Sequence, residues 1–256
     1  MSVSQAKKGR VGWITLERPK AMNALSREMI ESMTTTLLAW QDDPEVRAVV
    51  ITGTGPAFCA GADLKTAGAP AAPGEKDFLD RIVDFFDLLR AFPKPTIAAV
   101  NGLTLAGGME AVLCCDIVLA ARSARFGDGH SNFGVFPGGG GAAILPRKVP
   151  ANVAKYLLFT GDALSADDMK GWGLVNEVVA DAELAGRAQA LGEKFAQKSP
   201  LVLCKMKQVA NEAADKSQAD ALRHELLALR DHQRSWDIQE GLRAFVKKRE
   251  PQFKGY

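Results

Sequence analysis

The stretch "NGLTLAGGMEAVLCCD", residues 101–116, decides the fold, because a short helical pattern here links two strand patterns. "TIAAVNG" (96–102) and "CDIVLAAR" (115–122) are apolar runs that predict strands. Gly107 and Gly108 open the helix "GGMEAVLC", whose first peptide N–H groups lack partners within the helix and can bind an anion. The strand, helix, strand order predicts an α/β fold with at least partly parallel pairing.

The same alternation continues towards the N-terminus. Strand patterns occupy "VGWITLERP" (11–19) and "VRAVVITG" (46–53), and helical patterns occupy "SREMIESMTTTLLAWQ" (26–41), behind the capping residue Ser26, and "EKDFLDRIVDFFDLLRAF" (75–92). Between the second strand and the second helix, residues 67–75 predict a mobile loop.

Beyond about residue 145 the strand patterns nearly vanish. Ser165 with Asp168 predicts a capping box, and Ser199 before Pro200 predicts another helix start. From residue 181 onward the pattern is almost entirely helical. The sequence therefore predicts an α/β core followed by a helical tail.

Composition excludes several classes of function. The 256 residues suit one large domain, or a domain with an appendage. Lys and Arg total 32 against 30 for Asp and Glu, so net charge favours neither nucleic acid nor an anionic membrane as a partner. No apolar run is long enough to span a bilayer, and the first residues lack the apolar stretch of a signal peptide. Four cysteines without disulfide or zinc spacing predict reduced thiols in a cytoplasmic protein.

Two side chains are candidates for acid or base chemistry. Glu110 lies in the first turn of the helix among apolar neighbours, which predicts burial, although a first-turn glutamate also simply favours the helix dipole. His130 stands alone among the glycines of "FGDGHSNFGVFPGGGG" (126–141). The glycines there lack the Lys-Ser/Thr of a phosphate-binding loop, and "GHSNF" only partly matches the elbow of a serine hydrolase around Ser131. No cluster of histidine and carboxylate predicts a metal site.

Together these stretches resemble the crotonase family, the enoyl-CoA hydratase/isomerase superfamily. The resemblance covers nearly the whole chain through "ERPKAMNAL" (17–25), "FCAGADLK" (58–65), "NGLTLAGGMEAVLCCDIVLAA" (101–121), "PGGGG" (137–141) and "EGLRAFVKKREPQFKG" (240–255). It implies a spiral core of ββα units over residues 1–195. Residues 196–256 would form a helical region that packs trimers, often paired into hexamers. The implied substrate is a coenzyme A thioester, with no cofactor beyond it.

The resemblance also implies the residues of the site. The peptide N–H groups of Ala62 and Gly107 would form an oxyanion hole for the thioester oxygen, and the amide of Gly138 would hold the catalytic water. Coenzyme A would bind along Lys20, Ala21, Ala60, Asp63, Leu64 and Lys65, and Phe245 and Lys248 of a neighbouring subunit would close that pocket.

The sequence departs from the family at one position. Family hydratases use two glutamates, of which one matches Glu110 and the other falls at His130. Imidazole takes and gives protons near neutral pH, so we expect Glu110 and His130 to be the acid/base pair that hydrates a 2-enoyl-CoA to a 3-hydroxyacyl-CoA. Asp128, two residues earlier, is a candidate to orient the ring or to replace the missing carboxylate.

Four alternatives remain open at this stage. If His130 only forms hydrogen bonds within its turn, Glu110 alone would suit an isomerase that moves a double bond. Loss of one glutamate is also compatible with a hydrolase or a carbon–carbon bond-cleaving enzyme that uses the same oxyanion hole. A non-catalytic acyl-CoA-binding protein is the third alternative, and a serine hydrolase acting through Ser131 is the fourth.

Overall fold

The computed structural model describes residues 2–67 and 72–256. The strands are β1 (Val3–Lys8), β2 (Val11–Leu16), β3 (Ala48–Gly53), β4 (Ala57–Cys59), β5 (Thr96–Val100), β6 (Leu103–Leu105), β7 (Ile117–Ala121), β8 (Arg125–Gly127), β9 (Ala163–Ser165) and β10 (Glu177–Val179). The helices are α1 (Arg27–Gln41), α2 (Leu64–Ala67), α3 (Phe78–Ala91), α4 (Gly107–Cys114), α5 (Gly141–Lys148), α6 (Ala151–Thr160), α7 (Ala166–Gly171), α8 (Leu184–Ala196), α9 (Pro200–Ala213), α10 (Gln218–His232) and α11 (Trp236–Val246). The loop predicted at 67–75 lies partly outside the described residues, and its first residue ends α2.

The larger sheet forms the core. In the described part of the chain its strand order is β1-β2-β3-β5-β7-β10, and every pairing except β1 with β2 is parallel. The central strands β3 and β5 are apolar and almost fully buried, as expected for strands covered on both faces. The predicted α/β class with parallel pairing is therefore confirmed.

The smaller sheet positions the loops that follow its strands. Its order is β4-β6-β8-β9, and β4, β6 and β8 run parallel, with Leu105 opposite Gly127. Because the carboxyl ends of parallel strands meet at one edge, three loops distant in sequence converge there. They are residues 60–63 after β4, residues 106–107 after β6 and residues 128–130 after β8.

Two short strands lie beyond residue 145, where strand patterns in the sequence nearly vanish. β10 adds a parallel edge strand to β7, and β9 pairs antiparallel with β8. Each strand has three residues, too few for a recognisable alternation. β1 was also missed, since most of its side chains are exposed and only its backbone pairing with β2 makes it a strand.

The helical expectations for the second half of the chain are confirmed. Ser165 and Asp168 form the reciprocal capping box of α7, and the hydroxyl of Ser199 accepts from the amide of Val202 at the start of α9. Across residues 2–67 and 72–256, no helix has both the length and the apolar character needed to cross a membrane.

Candidate active site

Two peptide N–H groups that have no backbone partner among the described residues lie close together where β4 and β6 end. Leu25 donates to Gly61 O at 2.7 Å and accepts from Asp63 N at 2.9 Å. This parallel pairing turns the N–H of Ala62, the residue between them, to the opposite side. Gly107 is the first residue of α4, so its N–H has no partner within the helix. A Cβ added to Gly107 would lie 3.5 Å from Ala62 N. The structure thus brings close together the two amides that the resemblance implied.

Glycine is required where α4 meets β4. A Cβ on Gly108 would lie 2.1 Å from the carbonyl oxygen of Cys59, far inside van der Waals contact. The first turn of the helix therefore rests directly on the backbone of the neighbouring strand. This close approach sets the position of Gly107 N relative to the loop after β4.

Ala106 holds an unfavourable backbone conformation immediately before the helix. Its φ of 48° and ψ of −120° belong to a region that glycine adopts readily and alanine does not. Its amide donates to the carbonyl oxygen of Asp128 at 2.6 Å, which ties the start of α4 to the loop after β8.

Replacing Ala106 by glycine is expected to stabilise the protein. Relief of a strained φ is worth about 1–3 kcal/mol, and the added backbone entropy of glycine offsets about 0.5–1 kcal/mol, so the net gain in unfolding free energy is about 1 kcal/mol. Urea unfolding at fixed protein concentration measures it. Ala185→Gly, on the exposed face of α8, is the control and is expected to cost about 1 kcal/mol. Equal losses in both variants would show that Ala106 is not strained.

Glu110 is buried and held by residues 137–141, which we call the glycine loop. Its side chain lies in the first turn of α4, with 3% of the residue exposed. Oε1 accepts from Gly139 N at 2.7 Å and from Gly141 N at 3.1 Å. Hydrogen bonds from two backbone amides to a carboxylate are charge-assisted, and they fix its orientation. The predicted burial of Glu110 is confirmed.

Side chains of α3 contact the glycine loop and fix its position. Arg90 of α3 donates to the carbonyl oxygen of Gly139 at 3.4 Å and contacts Cys114 Sγ at 3.5 Å. A Cβ on Gly139 would lie 2.2 Å from the ring of Phe86, so the loop packs closely on α3. Gly138 differs, because no atom of the described residues lies within 4 Å of its Cβ position. Arg90 was not identified from the sequence, since nothing local marks it.

His130 contacts a buried carboxylate. It begins a short 3₁₀ turn, His130–Phe133, and its side chain is 12% exposed. Nδ1 lies 2.8 Å from Oδ1 of Asp128, whose side chain is 1% exposed. Burial lowers the pKa of His130, but the hydrogen bond to Asp128 and the charges of Asp128 and Glu110 outweigh it, so the pKa lies above its ordinary value.

The two carboxylates approach the same small volume. A Cβ on Gly141 would lie 2.6 Å from Oδ2 of Asp128 and 3.5 Å from Oε1 of Glu110. Because Gly141 has no side chain, both carboxylates can occupy the space beside His130. The arrangement combines two acidic groups, one imidazole and two free amides, which suits proton transfer next to a developing anion.

Comparison with known proteins agrees with this architecture. The sequence profile of the enoyl-CoA hydratase/isomerase family matches residues 6–256. A probable mitochondrial enoyl-CoA hydratase of Dictyostelium discoideum is 37% identical over 96% of this chain and 88% of its own. The crotonyl-CoA hydratase of Syntrophomonas wolfei is 36% identical over 96% and 95%. The crystal structure of an enoyl-CoA hydratase from Bacillus anthracis superposes with a TM-score of 0.94 at 33% identity, covering all of both chains.

The chain belongs to the enoyl-CoA hydratase/isomerase family. The crotonase resemblance and the spiral α/β fold that it implied are therefore confirmed.

In this member of the enoyl-CoA hydratase/isomerase family, the segments suggested for coenzyme A lie side by side. Ala60 N donates to Met22 O at 3.0 Å, which pairs the loop after β4 with the turn that contains Lys20 and Ala21. Leu64 is 60% exposed, and Lys65 is also exposed. The side chain of Asp63 differs, because it forms an ion pair of 2.8 Å with Arg18, which holds the pKa of Asp63 below its ordinary value.

Arg18 and Asn23 organise this pair of segments, and the sequence reasoning assigned them no role. Besides Asp63, Arg18 binds Ala24 O at 2.7 Å. Asn23 is fully buried at a φ of 55°, and its amide binds Thr54 O and Ala57 O at 2.9 and 2.7 Å. Both residues lie within the quoted "ERPKAMNAL", but their partners Asp63, Thr54 and Ala57 are 31 to 45 residues away, so the local pattern carries no signal for these contacts.

The remaining candidates of this family member are Phe245, Lys248 and Ser131. Phe245 is on α11 and 84% exposed, and Lys248 follows the helix at a φ of 51°. Ser131 is exposed within the 3₁₀ turn and does not lie on a strand-to-helix elbow, which removes the structural basis for a serine hydrolase. Among the residues that the structure describes, no group of three or more histidine, cysteine or acidic side chains is arranged to hold a metal.

Proposed function

We propose that this protein hydrates 2-enoyl-CoA thioesters to 3-hydroxyacyl-CoA. The observation that carries the proposal is the placement of Glu110, fixed by Gly139 N and Gly141 N beside the Asp128–His130 pair. The similarity to proteins named enoyl-CoA hydratase and crotonyl-CoA hydratase supports it.

The thioester oxygen binds between the N–H groups of Ala62 and Gly107. When hydroxide adds to C3, the π electrons of the C2=C3 bond move towards the carbonyl and create an enolate. Two preorganised donors stabilise that charge where it develops, and removal of one such donor from an enzyme typically costs about 10²–10³ in rate.

Glu110 and His130 divide the proton transfers. The Glu110 carboxylate accepts a proton from the water, which the amide of Gly138 also holds, and the water oxygen bonds to C3. Imidazolium at His130 then donates a proton to C2 as the enolate collapses. Exchange with solvent returns Glu110 to the carboxylate and His130 to the imidazolium, so the reaction consumes one water and needs no cofactor.

The rest of the molecule serves binding and assembly in this proposal. Coenzyme A lies along Lys20, Ala21, Ala60, Asp63, Leu64 and Lys65, with the basic and exposed side chains near its phosphates. Residues 1–195 form the catalytic core, and residues 196–256 associate into a trimer or a hexamer, which brings Phe245 and Lys248 of a neighbouring subunit to the pocket. A cytoplasmic location fits the free cysteines, of which Cys59, Cys114 and Cys115 are buried.

Mass spectrometry in D₂O tests the reaction. The purified protein is incubated separately with enoyl-, 3-oxoacyl- and saturated acyl-CoAs of several chain lengths. Addition of water to a 2-enoyl-CoA is the expected result. Deuterium uptake or a shifted double bond without added water would replace the hydratase by an isomerase, and release of free CoA would indicate a hydrolase. Binding across the panel with no turnover would identify an acyl-CoA-binding protein.

The pH dependence of kcat is expected to have a limb set by His130. As the acid, His130 must be protonated, and its raised pKa keeps it so beyond the pH at which an ordinary imidazole loses its proton. Activity should therefore fall as pH rises through the raised pKa. The His130–Asp128 pair contributes to the free energy of unfolding with the same pH dependence. Its contribution is complete below the pKa that His130 has in the unfolded chain, and it is lost as pH rises through the raised pKa of His130 in the folded protein. A kcat that rises over that interval would show that His130 acts as a base.

A further inference from the structure

Asp128 is a buried carboxylate whose interactions centre on one side chain. Oδ1 lies 2.8 Å from Nδ1 of His130 and 3.3 Å from its backbone amide. Oδ2 is buried and has no hydrogen-bond partner among the residues that the structure describes. A buried carboxylate is costly unless it is paired, so the His130 ring is the group that compensates its charge.

The contact determines which ring nitrogen is free. A carboxylate only accepts hydrogen bonds, so Nδ1 must carry the proton in the 2.8 Å contact. The other nitrogen, Nε2, is then the one left to exchange a proton with a substrate. We infer that Asp128 is a positioning residue that holds the His130 ring through Nδ1 and presents Nε2 to C2 of the thioester. The chemical part of this inference rests on the proposed hydratase function.

The backbone of Asp128 also fixes the position of α4 relative to the His130 ring. Its carbonyl oxygen accepts from Ala106 N at 2.6 Å, one residue before the amide of Gly107. The same residue thus fixes the imidazole through its side chain and the start of α4 through its backbone. The proton donor and one oxyanion donor are held relative to each other by a single residue.

Gly141 supplies the space that the arrangement needs. Its Cβ position lies 2.6 Å from Oδ2 of Asp128, so any larger residue there would displace the carboxylate. Among the described residues, the hydrogen bonds that reach this carboxylate all go to Oδ1, from the ring and the backbone amide of His130.

In the described part of the chain, two carboxylates act on the His130 ring, of which Asp128 is the first. Glu110 is the second carboxylate that acts on it, from α4. Helix α6 packs against the 3₁₀ turn, and its titratable side chains, Lys155 and Tyr156, are exposed, with the hydroxyl of Tyr156 bound to Asp162. The pKa of His130, raised by Asp128 and Glu110 against the effect of burial, agrees with this geometry.

The decisive measurement is ¹⁵N NMR of the histidine rings across a pH titration. The chain has three histidines, so single His→Gln variants assign the signals. In the wild-type protein we expect neutral His130 to carry its proton on Nδ1. In Asp128→Asn the titration of His130 should move to lower pH, and the preference for Nδ1–H should weaken because an amide both donates and accepts.

Kinetics provide the second measurement. Asp128→Asn is expected to lower kcat by about 10–100-fold, part of the 10²–10⁴ typical of a whole acid or base, with KM for the enoyl-CoA nearly unchanged. Its alkaline limb should move to lower pH together with the NMR titration. Glu212→Gln is the matched control, because it removes a carboxylate 3.5 Å from His224 on the outer helices and should leave His130 and kcat unchanged.

The outcomes separate the two proposals. A wild-type His130 with its proton on Nε2 overturns the positioning role, and this result does not depend on any variant folding. An unchanged His130 titration in a folded Asp128→Asn also overturns it. If the Nδ1 proton and the titration shift are found but the wild-type protein hydrates no 2-enoyl-CoA, the proposed function fails while the Asp128–His130 arrangement stands.

Discussion

Glu110→Gln is expected to lower kcat for hydration by about 10²–10⁴, the contribution of a positioned base. The substitution keeps the shape of the side chain and an oxygen that accepts from Gly139 N and Gly141 N, the two amides that hold Glu110 in the wild-type protein. It removes the negative charge, and with it both the ability to take a proton from water and the contribution of Glu110 to the raised pKa of His130. The rate loss therefore reports proton transfer and not a displaced loop.

Binding separates this effect from damage to the pocket. Calorimetric affinity for a saturated acyl-CoA, which cannot be hydrated, should be nearly unchanged in Glu110→Gln. Glu28→Gln is the control, because Glu28 also lies in the first turn of a helix, α1, but is exposed. If Glu110 only favours the helix dipole, the two variants will share a cost of a few tenths of a kcal/mol, and hydration will survive in both.

Gly108→Ala is expected to affect both stability and activity. The new Cβ would lie 2.1 Å from Cys59 O and 2.8 Å from Cys59 Cβ, and neither atom is the flexible end of a side chain. Helix α4 must move away from β4, which costs about 1–3 kcal/mol or more in unfolding free energy. A shift of about 1 Å separates Gly107 N from Ala62 N and displaces Glu110, and misplacement of that size costs about 10² in rate.

Urea unfolding and kcat measured on the same preparation test this expectation. Gly186→Ala on the exposed face of α8 is the matched control, since its Cβ position has no neighbour within 4 Å in the part of the chain that the structure describes. There the helix should gain about 0.4–1 kcal/mol, because alanine restricts the unfolded chain more than glycine does. Wild-type stability and turnover in Gly108→Ala would contradict the close contact between α4 and β4.

Local sequence predicted most of the long elements. The periodicity of residues 26–41 and 75–92 predicted α1 and α3, which the structure gives as Arg27–Gln41 and Phe78–Ala91. These helices carry an apolar face of sufficient length to be recognised without knowledge of their partners. β1, β9 and β10 carried no such signal, since short or exposed strands are defined by the neighbour they pair with.

The features of the candidate site also divide into those that local sequence predicted and those that depend on tertiary contacts. The sequence by itself predicted the glycine start of α4 and the apolar surroundings of Glu110, because each depends on neighbours within a few residues. That His130 stands where family hydratases have a glutamate was implied by the resemblance to the family. The sequence left open whether Asp128 orients the ring of His130 or replaces the missing carboxylate. The 2.8 Å contact between Oδ1 of Asp128 and Nδ1 of His130 favours the first role.

Only the tertiary structure decided how these groups meet. Parallel pairing of β4, β6 and β8 brings Ala62, Gly107 and His130 to one edge although the chain separates them by 68 residues from first to last. The hydrogen bonds from the amides of Gly139 and Gly141 to Glu110 join residues that are about 30 positions apart in the chain. Arg90 of α3 donates to the same loop. Contacts between residues so distant in the chain depend on strand order and close backbone approach, which no local period of hydrophobic residues encodes.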